Sequence, residues 1–165
     1  MKVVSDSSPL ITLARIGCLD LLPMLYGRIM IASEVYKEVV IDGVGLPGAA
    51  QVEFADWIET RRVKNAEGMA LAVAKSGLGS GEVSAVFLAK ELSAELTLID
   101  ERRARRFARA EGLPVIGCVG ILEDLHVRGY LNDLRGAYQR LIQEKSRVDL
   151  RTIQNSLAKF KLRPL

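Results

Sequence analysis

The chain has 165 residues, of which 49% are hydrophobic and 26% are charged, a composition that excludes an intrinsically disordered or fibrous protein. Lysine and arginine number 23 against 20 acidic residues, so the net charge is only +3. No apolar run approaches the roughly 18 residues of a membrane span, no signal peptide is visible, and Cys18 and Cys118 have no metal-binding spacing; we therefore expect one cytoplasmic domain over residues 1–165.

Short apolar strands alternate with helices in the first part of the chain. Lys2–Ser5 is a predicted strand that stops at Asp6, and Ser8 is a predicted cap for a helix with Pro9 at its first position. The further predictions in this part are strand Arg28–Ala32, a helix from about Ser33 that contains Glu38, a turn-rich segment 42–48, helix Ala49–Trp57 and strand Ile58–Val63.

The second part continues the alternation and ends in helices. A helix that starts at Glu82 is apolar on nearly every side, which predicts that it is buried. Strand Leu96–Ile99 stops at Asp100. The other predictions are helix Glu67–Lys75, helix Arg102–Glu111, strand Leu113–Ile116, helix Ile121–Arg128 and a C-terminal helical extension over 132–165 with helices Leu134–Lys145 and Leu150–Phe160. The alternation predicts an α/β fold with a mostly parallel sheet.

Four acidic residues lie where these elements begin or end. Asp6 and Asp100 each follow an apolar strand, Glu82 opens the buried helix, and Glu38 lies inside an earlier helix. Each has a structural explanation as a cap, a turn residue or a solvated side chain. In a parallel sheet, however, ligand sites form beyond the carboxyl ends of the strands. Clustered carboxylates need a cation, and oxygen ligands suit Mg²⁺ or Mn²⁺, so the pattern predicts a metal-dependent enzyme acting on phosphate esters.

Basic residues are concentrated in two segments. Five arginines fall between Arg102 and Arg109, and residues 135–165 contain eight basic and two acidic residues. Such local surface can hold a polyanion without a high overall charge. Helical geometry places Arg102 and Arg106 on one face, so these two are the predicted contacts to substrate phosphates, and the other arginines are expected to be solvated.

The motifs that surround the four acids form an ordered set. They are Val3–Ile11, Val35–Val39, Gly79–Glu82, Leu98–Asp100, and Gly112–Gly117 followed by Gly120–Leu122. This set resembles the PIN-domain ribonucleases, and within them the group related to VapC-type toxins. The resemblance covers about residues 1–129, and the final helices carry less of it.

The resemblance implies a three-layer α/β/α sandwich with a mostly parallel central sheet and a shared acidic pocket. Asp6, Glu38, Glu82 and Asp100 would be the catalytic metal ligands for Mg²⁺ or Mn²⁺, and Ser8 would be a hydrogen-bonding residue of the pocket. It also implies hydrolysis of single-stranded RNA, often by a toxin that a small antitoxin protein neutralises, and often a homodimer. Many PIN nucleases have Asp where this chain has Glu82.

Two other readings stay open at this point. An aspartyl phosphotransfer or phosphatase domain would use Asp6 as its nucleophile, although haloacid-type phosphatases usually have a second Asp two residues further on, where this chain has Ser8. A PIN-like module with weak catalysis would bind RNA or a protein instead of cutting RNA. Metal-dependent cleavage of single-stranded RNA separates these readings.

Overall fold

A five-stranded parallel sheet lies at the centre of the computed structural model, which describes all 165 residues. Its strands are β1 (Val3–Ser5), β2 (Ile29–Ala32), β3 (Ile58–Arg61), β4 (Leu96–Leu98) and β5 (Val115–Ile116). The order across the sheet is β3-β2-β1-β4-β5, and every pairing is parallel. Each strand lies within a segment that the sequence predicts as a strand.

Helices fill the connections between the strands and follow the last one. They are α1 (Ser7–Arg15), α2 (Leu22–Tyr26), α3 (Ser33–Tyr36), α4 (Ala49–Phe54), α5 (Ala66–Ser76), α6 (Ser80–Glu91), α7 (Arg102–Ala110), α8 (Cys118–Val127), α9 (Leu134–Gln143) and α10 (Leu150–Lys159). A 3₁₀ turn over Leu19–Leu21 precedes α2, and α3 continues into a π-helical turn over Lys37–Ile41.

The strand order reverses direction at β1. The chain proceeds from β1 outward to β2 and β3, then returns to the other side of β1 to add β4 and β5. Because parallel crossovers are right-handed, this reversal places the connecting helices on opposite faces of the sheet. The predicted three-layer α/β/α architecture is therefore confirmed. The point between β1 and β4 is a topological switch point, where open α/β sheets bind their ligands.

Helix α6 forms the centre of one helical layer. It contacts β1, β2 and β4 on the sheet and both α3 and α5 beside it. Its residues Val83, Ala85, Val86, Leu88 and Ala89 are buried, which confirms the burial predicted from its uniform apolarity. The packing fixes the start of α6, and with it Glu82, close to the carboxyl edge of the sheet.

The C-terminal helices pack on the body of the domain. Tyr138 and Leu141 from α9 and Ile153 and Leu157 from α10 belong to the main hydrophobic core. The Tyr138 hydroxyl lies 2.6 Å from Oγ of Ser156, which ties α9 to α10. Both helices contact α8, so the segment that joins them is held next to the carboxyl edge of the sheet.

No single helix is long and apolar enough to cross a membrane. Segments Ser7–Arg15 and Leu19–Tyr26 have the length and composition of a membrane span only when they are taken together, and they are bent by 112° relative to each other. From this pair, Leu10, Leu13 and Leu22 are buried in the core.

Candidate active site

A cavity of about 1110 Å³ opens at the carboxyl edge of the sheet, and all four predicted carboxylates line it: Asp6, Glu38, Glu82 and Asp100. We call these four residues the acidic wall. Two of them follow the adjacent strands β1 and β4, whose register pairs Ser5 with Leu98. The backbone N–H of Asp6 donates to the carbonyl of Leu98 at 3.0 Å, which extends this pairing to the site.

Asp6 is the most deeply placed member of the acidic wall, with 2% of its surface exposed. It caps α1, since its Oδ1 accepts a hydrogen bond from the Ser7 backbone N–H at 2.7 Å. Burial raises its pKa from 3.8 to about 7, against the opposing effect of the Ser7 hydrogen bond, and the charges of Glu82, Glu38 and Asp100 raise it further. Asp6 is therefore a carboxyl group that holds a proton unless a positive charge replaces it.

Asp100 is held by a single residue, Cys118, at the start of α8. Its Oδ1 accepts from the Cys118 backbone N–H at 2.6 Å, and its Oδ2 accepts from the thiol at 2.9 Å. Burial, followed by the charge of Asp100, raises the pKa of the Cys118 thiol well above its usual value. The thiol therefore stays protonated and acts as a donor that fixes the carboxylate.

Glu38 reaches the acidic wall from the π-helical turn. Its Oε2 accepts from the Ser7 hydroxyl at 3.0 Å. A Cβ placed on Gly81 would collide with this same oxygen, so the absence of a side chain at Gly81 makes room for the Glu38 carboxylate. Ser7 touches two acids at once, Asp6 through its backbone and Glu38 through its hydroxyl.

Glu82 lies at the third position of α6. Its Oε1 accepts from the Gly79 backbone N–H at 3.0 Å, which caps the helix. Its Oε2 is buried and has no hydrogen-bond partner. Burial, together with the charges of Glu101 and Glu38, raises its pKa. An orphaned buried carboxylate oxygen needs a proton or a cation.

The acidic wall has the ligand chemistry that a hard divalent cation prefers, but its side chains do not form a complete coordination site. No three acidic, histidine or cysteine side chains converge closely enough in this structure to hold a metal ion. The wall nevertheless supplies only oxygen ligands, with the unpartnered Glu82 Oε2 and the buried Asp6 among them. Oxygen ligands of this kind suit Mg²⁺ or Mn²⁺, so the donor set fits such an ion.

The prediction that Ser8 caps α1 is wrong, whereas its role as a hydrogen-bonding residue of the pocket stays a prediction. Asp6, not Ser8, caps α1, and the helix begins at Ser7 because the Asp6 carboxylate already satisfies the first free N–H. Ser8 lines the cavity, but the hydroxyl that bonds to an acid is that of Ser7. The sequence offers a signal for this arrangement, because Asp is as good a cap as Ser.

Helix α7 turns a different set of arginines to the cavity from the predicted pair. Arg102 lines it as predicted, together with Arg105 and Arg109. Arg106 instead lines a separate depression of about 260 Å³ beside Arg103. The spacing i, i+3, i+7 describes one helical face as well as i, i+4 does, and it is the signal that identifies Arg105 and Arg109.

The chain is similar to a known family over most of its length. A family model described as a PIN domain matches residues 2–162, almost the whole chain. No curated protein matches the chain. PIN domains are generally nucleases, and they typically use divalent metal ions.

Proposed function

The chain belongs to the PIN-domain family, and from that premise we propose that it is a metal-dependent endoribonuclease that hydrolyses single-stranded RNA. The observation that carries the proposal is the position of Asp6 and Asp100. They follow adjacent strands at the topological switch point and line the same cavity as Glu38 and Glu82. Four carboxylates in one cavity, one of them with a pKa raised to about 7, favour a cation at this place.

The side chains divide the work between holding an ion and holding the substrate. Asp6 and Asp100, on strand ends, and Glu38 and Glu82, on helices, would be the ligands. A bound Mg²⁺ or Mn²⁺ would activate a water molecule and offset the charge on the phosphate oxygens. Cys118 orients Asp100, and Ser7 orients Glu38. Arg102 and Arg109, which line the same cavity, would contact phosphates of the RNA strand.

The resemblance to VapC-related proteins supports a more specific proposal. We propose that this chain is the toxin of a toxin–antitoxin pair and that it acts in the cytoplasm as a homodimer. Its partner would be a small antitoxin protein. Co-expression with the small protein encoded by the adjacent gene would test the toxin proposal independently of the chemistry. Restored growth of cells that express this chain would support the proposal.

Metal binding and RNA cleavage by variants of the acidic wall test the proposal. Asp6→Asn and Asp100→Asn each remove one charged ligand with little change in shape. We expect calorimetric Mn²⁺ affinity to fall by at least about tenfold and cleavage of a fluorogenic single-stranded RNA by roughly 100-fold or more, since metal catalysis supplies several kcal/mol. Chelator should abolish cleavage by the wild type.

The matched control is Glu123→Gln. Glu123 also lines the cavity, but its carboxylate is paired with Lys159 at 3.0 Å. We expect this variant to bind Mn²⁺ and cleave RNA as the wild type does. Equal Mn²⁺ binding by the wild type, Asp6→Asn and Asp100→Asn would contradict the proposal.

A second candidate function is a PIN-like module that binds RNA with little cleavage. Two observations favour it: no ready-made three-ligand cluster exists, and Glu82 uses one oxygen to cap α6. In the same experiments, such a module would bind single-stranded RNA without a metal-dependent product. Cleavage that disappears in Asp100→Asn would exclude it.

A further inference from the structure

The cavity has a second wall of opposite charge, and part of that wall comes from the C-terminal extension. Cationic side chains line the cavity from three elements: Arg15 at the end of α1, Arg102, Arg105 and Arg109 on α7, and Lys145 and Arg147 on the loop between α9 and α10. We call this set the cationic wall. The loop, residues 144–149, lies outside the stretch that carries the strand-end motifs.

The cations of this wall are free to bind a ligand. Arg15, Arg102, Arg109, Lys145 and Arg147 have no ion-pair partner within 4.0 Å, although the cavity contains several carboxylates. Only Arg105 is engaged, through a hydrogen bond to the Asp100 carbonyl at 2.8 Å. Unpaired guanidinium and ammonium groups beside a cavity attract a polyanion.

Two acids that line the cavity together with the loop cations are already engaged. Asp149 caps α10 by accepting from the Arg151 backbone N–H at 3.2 Å, and Glu123 is paired with Lys159. The loop itself is anchored, because Val148 packs against the main core. The loop therefore presents Lys145 and Arg147 from an anchored backbone, and neither cation forms an ion pair, although Glu144 lies next to Lys145 in the sequence.

We propose that Lys145 and Arg147 bind backbone phosphates of the nucleic-acid strand, so that the strand runs from the α7 arginines across the acidic wall to the α9–α10 loop. This inference rests on the proposed function, and it names the part of the chain that extends the substrate site beyond the scissile phosphate. A cavity of about 1110 Å³ is at the upper end of pockets that hold drug-sized ligands, which leaves room for several nucleotide units. Phosphate contacts position a strand and carry no sequence information. The loop would therefore raise the affinity for longer RNA strands without selecting their sequence.

A charge-matched pair of double variants tests the proposal. The test variant is Lys145→Gln with Arg147→Gln. The control is Lys161→Gln with Arg151→Gln, two exposed cations of the same C-terminal segment that do not line the cavity. Lys145 and Lys161 both follow a helix and both have positive φ, 53° and 57°, so the two variants perturb the backbone in the same way.

Binding is measured by fluorescence anisotropy of labelled oligouridylates in chelator, at several salt concentrations. For an oligomer of about 16 nucleotides, we expect the test variant to bind roughly tenfold more weakly at 0.1 M salt, with a salt slope smaller by about 1.4, since each phosphate contact on a single strand contributes about 0.7. For an oligomer of about 4 nucleotides, near the lower end of single-strand site sizes, the loss should be much smaller. The control variant should match the wild type.

Cleavage kinetics with Mn²⁺ separate this inference from the proposed function. We expect the test variant to have a raised KM on the long oligomer and an unchanged kcat, because the contact binds ground state and transition state alike. If the wild type cleaves RNA and the two double variants have equal KM and equal salt slope, the inference about the loop is overturned. The nuclease proposal is then unaffected. Binding that depends on the loop without any cleavage would support the inference and overturn the nuclease proposal. A wild type that neither binds nor cleaves the oligomers would overturn both.

Discussion

The two walls of the cavity differ in how their charged groups are held. Members of the acidic wall are fixed by short hydrogen bonds: Asp6 by Ser7, Asp100 by Cys118, and Glu82 by Gly79. Members of the cationic wall such as Lys145 and Arg147 are exposed and have no ion-pair partner. Groups that must meet an ion or a reacting atom need fixed geometry, whereas long side chains at a rim can follow a flexible strand. One cavity therefore combines a rigid chemical centre with an adaptable binding surface.

The largest effect is expected at Asp6, the most deeply buried member of the acidic wall. The folded pKa is about 7 against 3.8 for an unperturbed Asp. The folded protein therefore binds more protons than the unfolded chain between these values, and the free energy of unfolding falls as pH rises from about 4 to about 7. Asp6→Asn has no such proton. We expect it to be more stable than the wild type above about pH 7 by up to a few kcal/mol, since one pKa unit corresponds to about 1.4 kcal/mol.

Urea unfolding in chelator across this pH range measures the effect. The control is Asp20→Asn, because Asp20 is exposed and does not line the cavity; its stability should follow the wild-type pH dependence. Parallel pH profiles for the wild type and Asp6→Asn would show that the acidic wall does not carry an unfavourable buried charge.

The two faces of α7 carry arginines that line the cavity and arginines that do not. Arg102→Gln with Arg109→Gln removes two cations that line the cavity, and Arg103→Gln with Arg106→Gln removes two that line the separate depression. We expect the first pair to weaken binding of single-stranded RNA roughly tenfold at 0.1 M salt, with a salt slope smaller by about 1.4. The second pair should bind nearly as the wild type does, and equal losses in both pairs would mean that the helix acts only through its total charge.

Cys118 gives the smallest expected effect and tests how rigid the acidic wall must be. Cys118→Val removes the thiol donor to Asp100 but keeps the backbone donor, whereas Cys118→Ser keeps both. A single hydrogen bond contributes about 0.5–1.5 kcal/mol, so we expect Mn²⁺ affinity to fall roughly 3- to 10-fold in the Val variant and to recover in the Ser variant. Calorimetric titration at one pH checks this. The same dissociation constant in both variants would assign the thiol a packing role only.

Much of the fold could be predicted from the sequence because the signals are local. Apolar runs such as Leu96–Leu98 and the all-apolar face of α6 bury themselves in any α/β arrangement, and both elements occur where the pattern places them. Asp6 and Asp100 could be singled out because each directly follows such a run. The strand order is non-local, so the sequence predicts that both acids lie at the carboxyl edge of a parallel sheet, and the structure shows that their strands are neighbours.

The rest of the site could not be predicted because its contacts join distant segments. Cys118 reads as a buried thiol among apolar neighbours, and only the β4–β5 pairing brings its Sγ to Asp100. Gly81 makes room for Glu38, which is 43 positions away in the sequence. The choice between Arg105 and Arg106 depends on the rotation of α7 about its own axis, and packing on the core sets that rotation.

The pairing of β1 with β4 also determines when the cavity can exist during synthesis. Val3 pairs with Leu96, and the loop with Lys145 and Arg147 comes later still. Domains fold as units once enough of the chain has emerged from the ribosome. A nascent chain therefore carries Asp6 and β2 early but lacks β4 and Asp100 until translation has passed Asp100. The nuclease activity that we propose would be absent while only the first strands have been made, and the substrate site would be complete only once the loop with Lys145 and Arg147 has emerged.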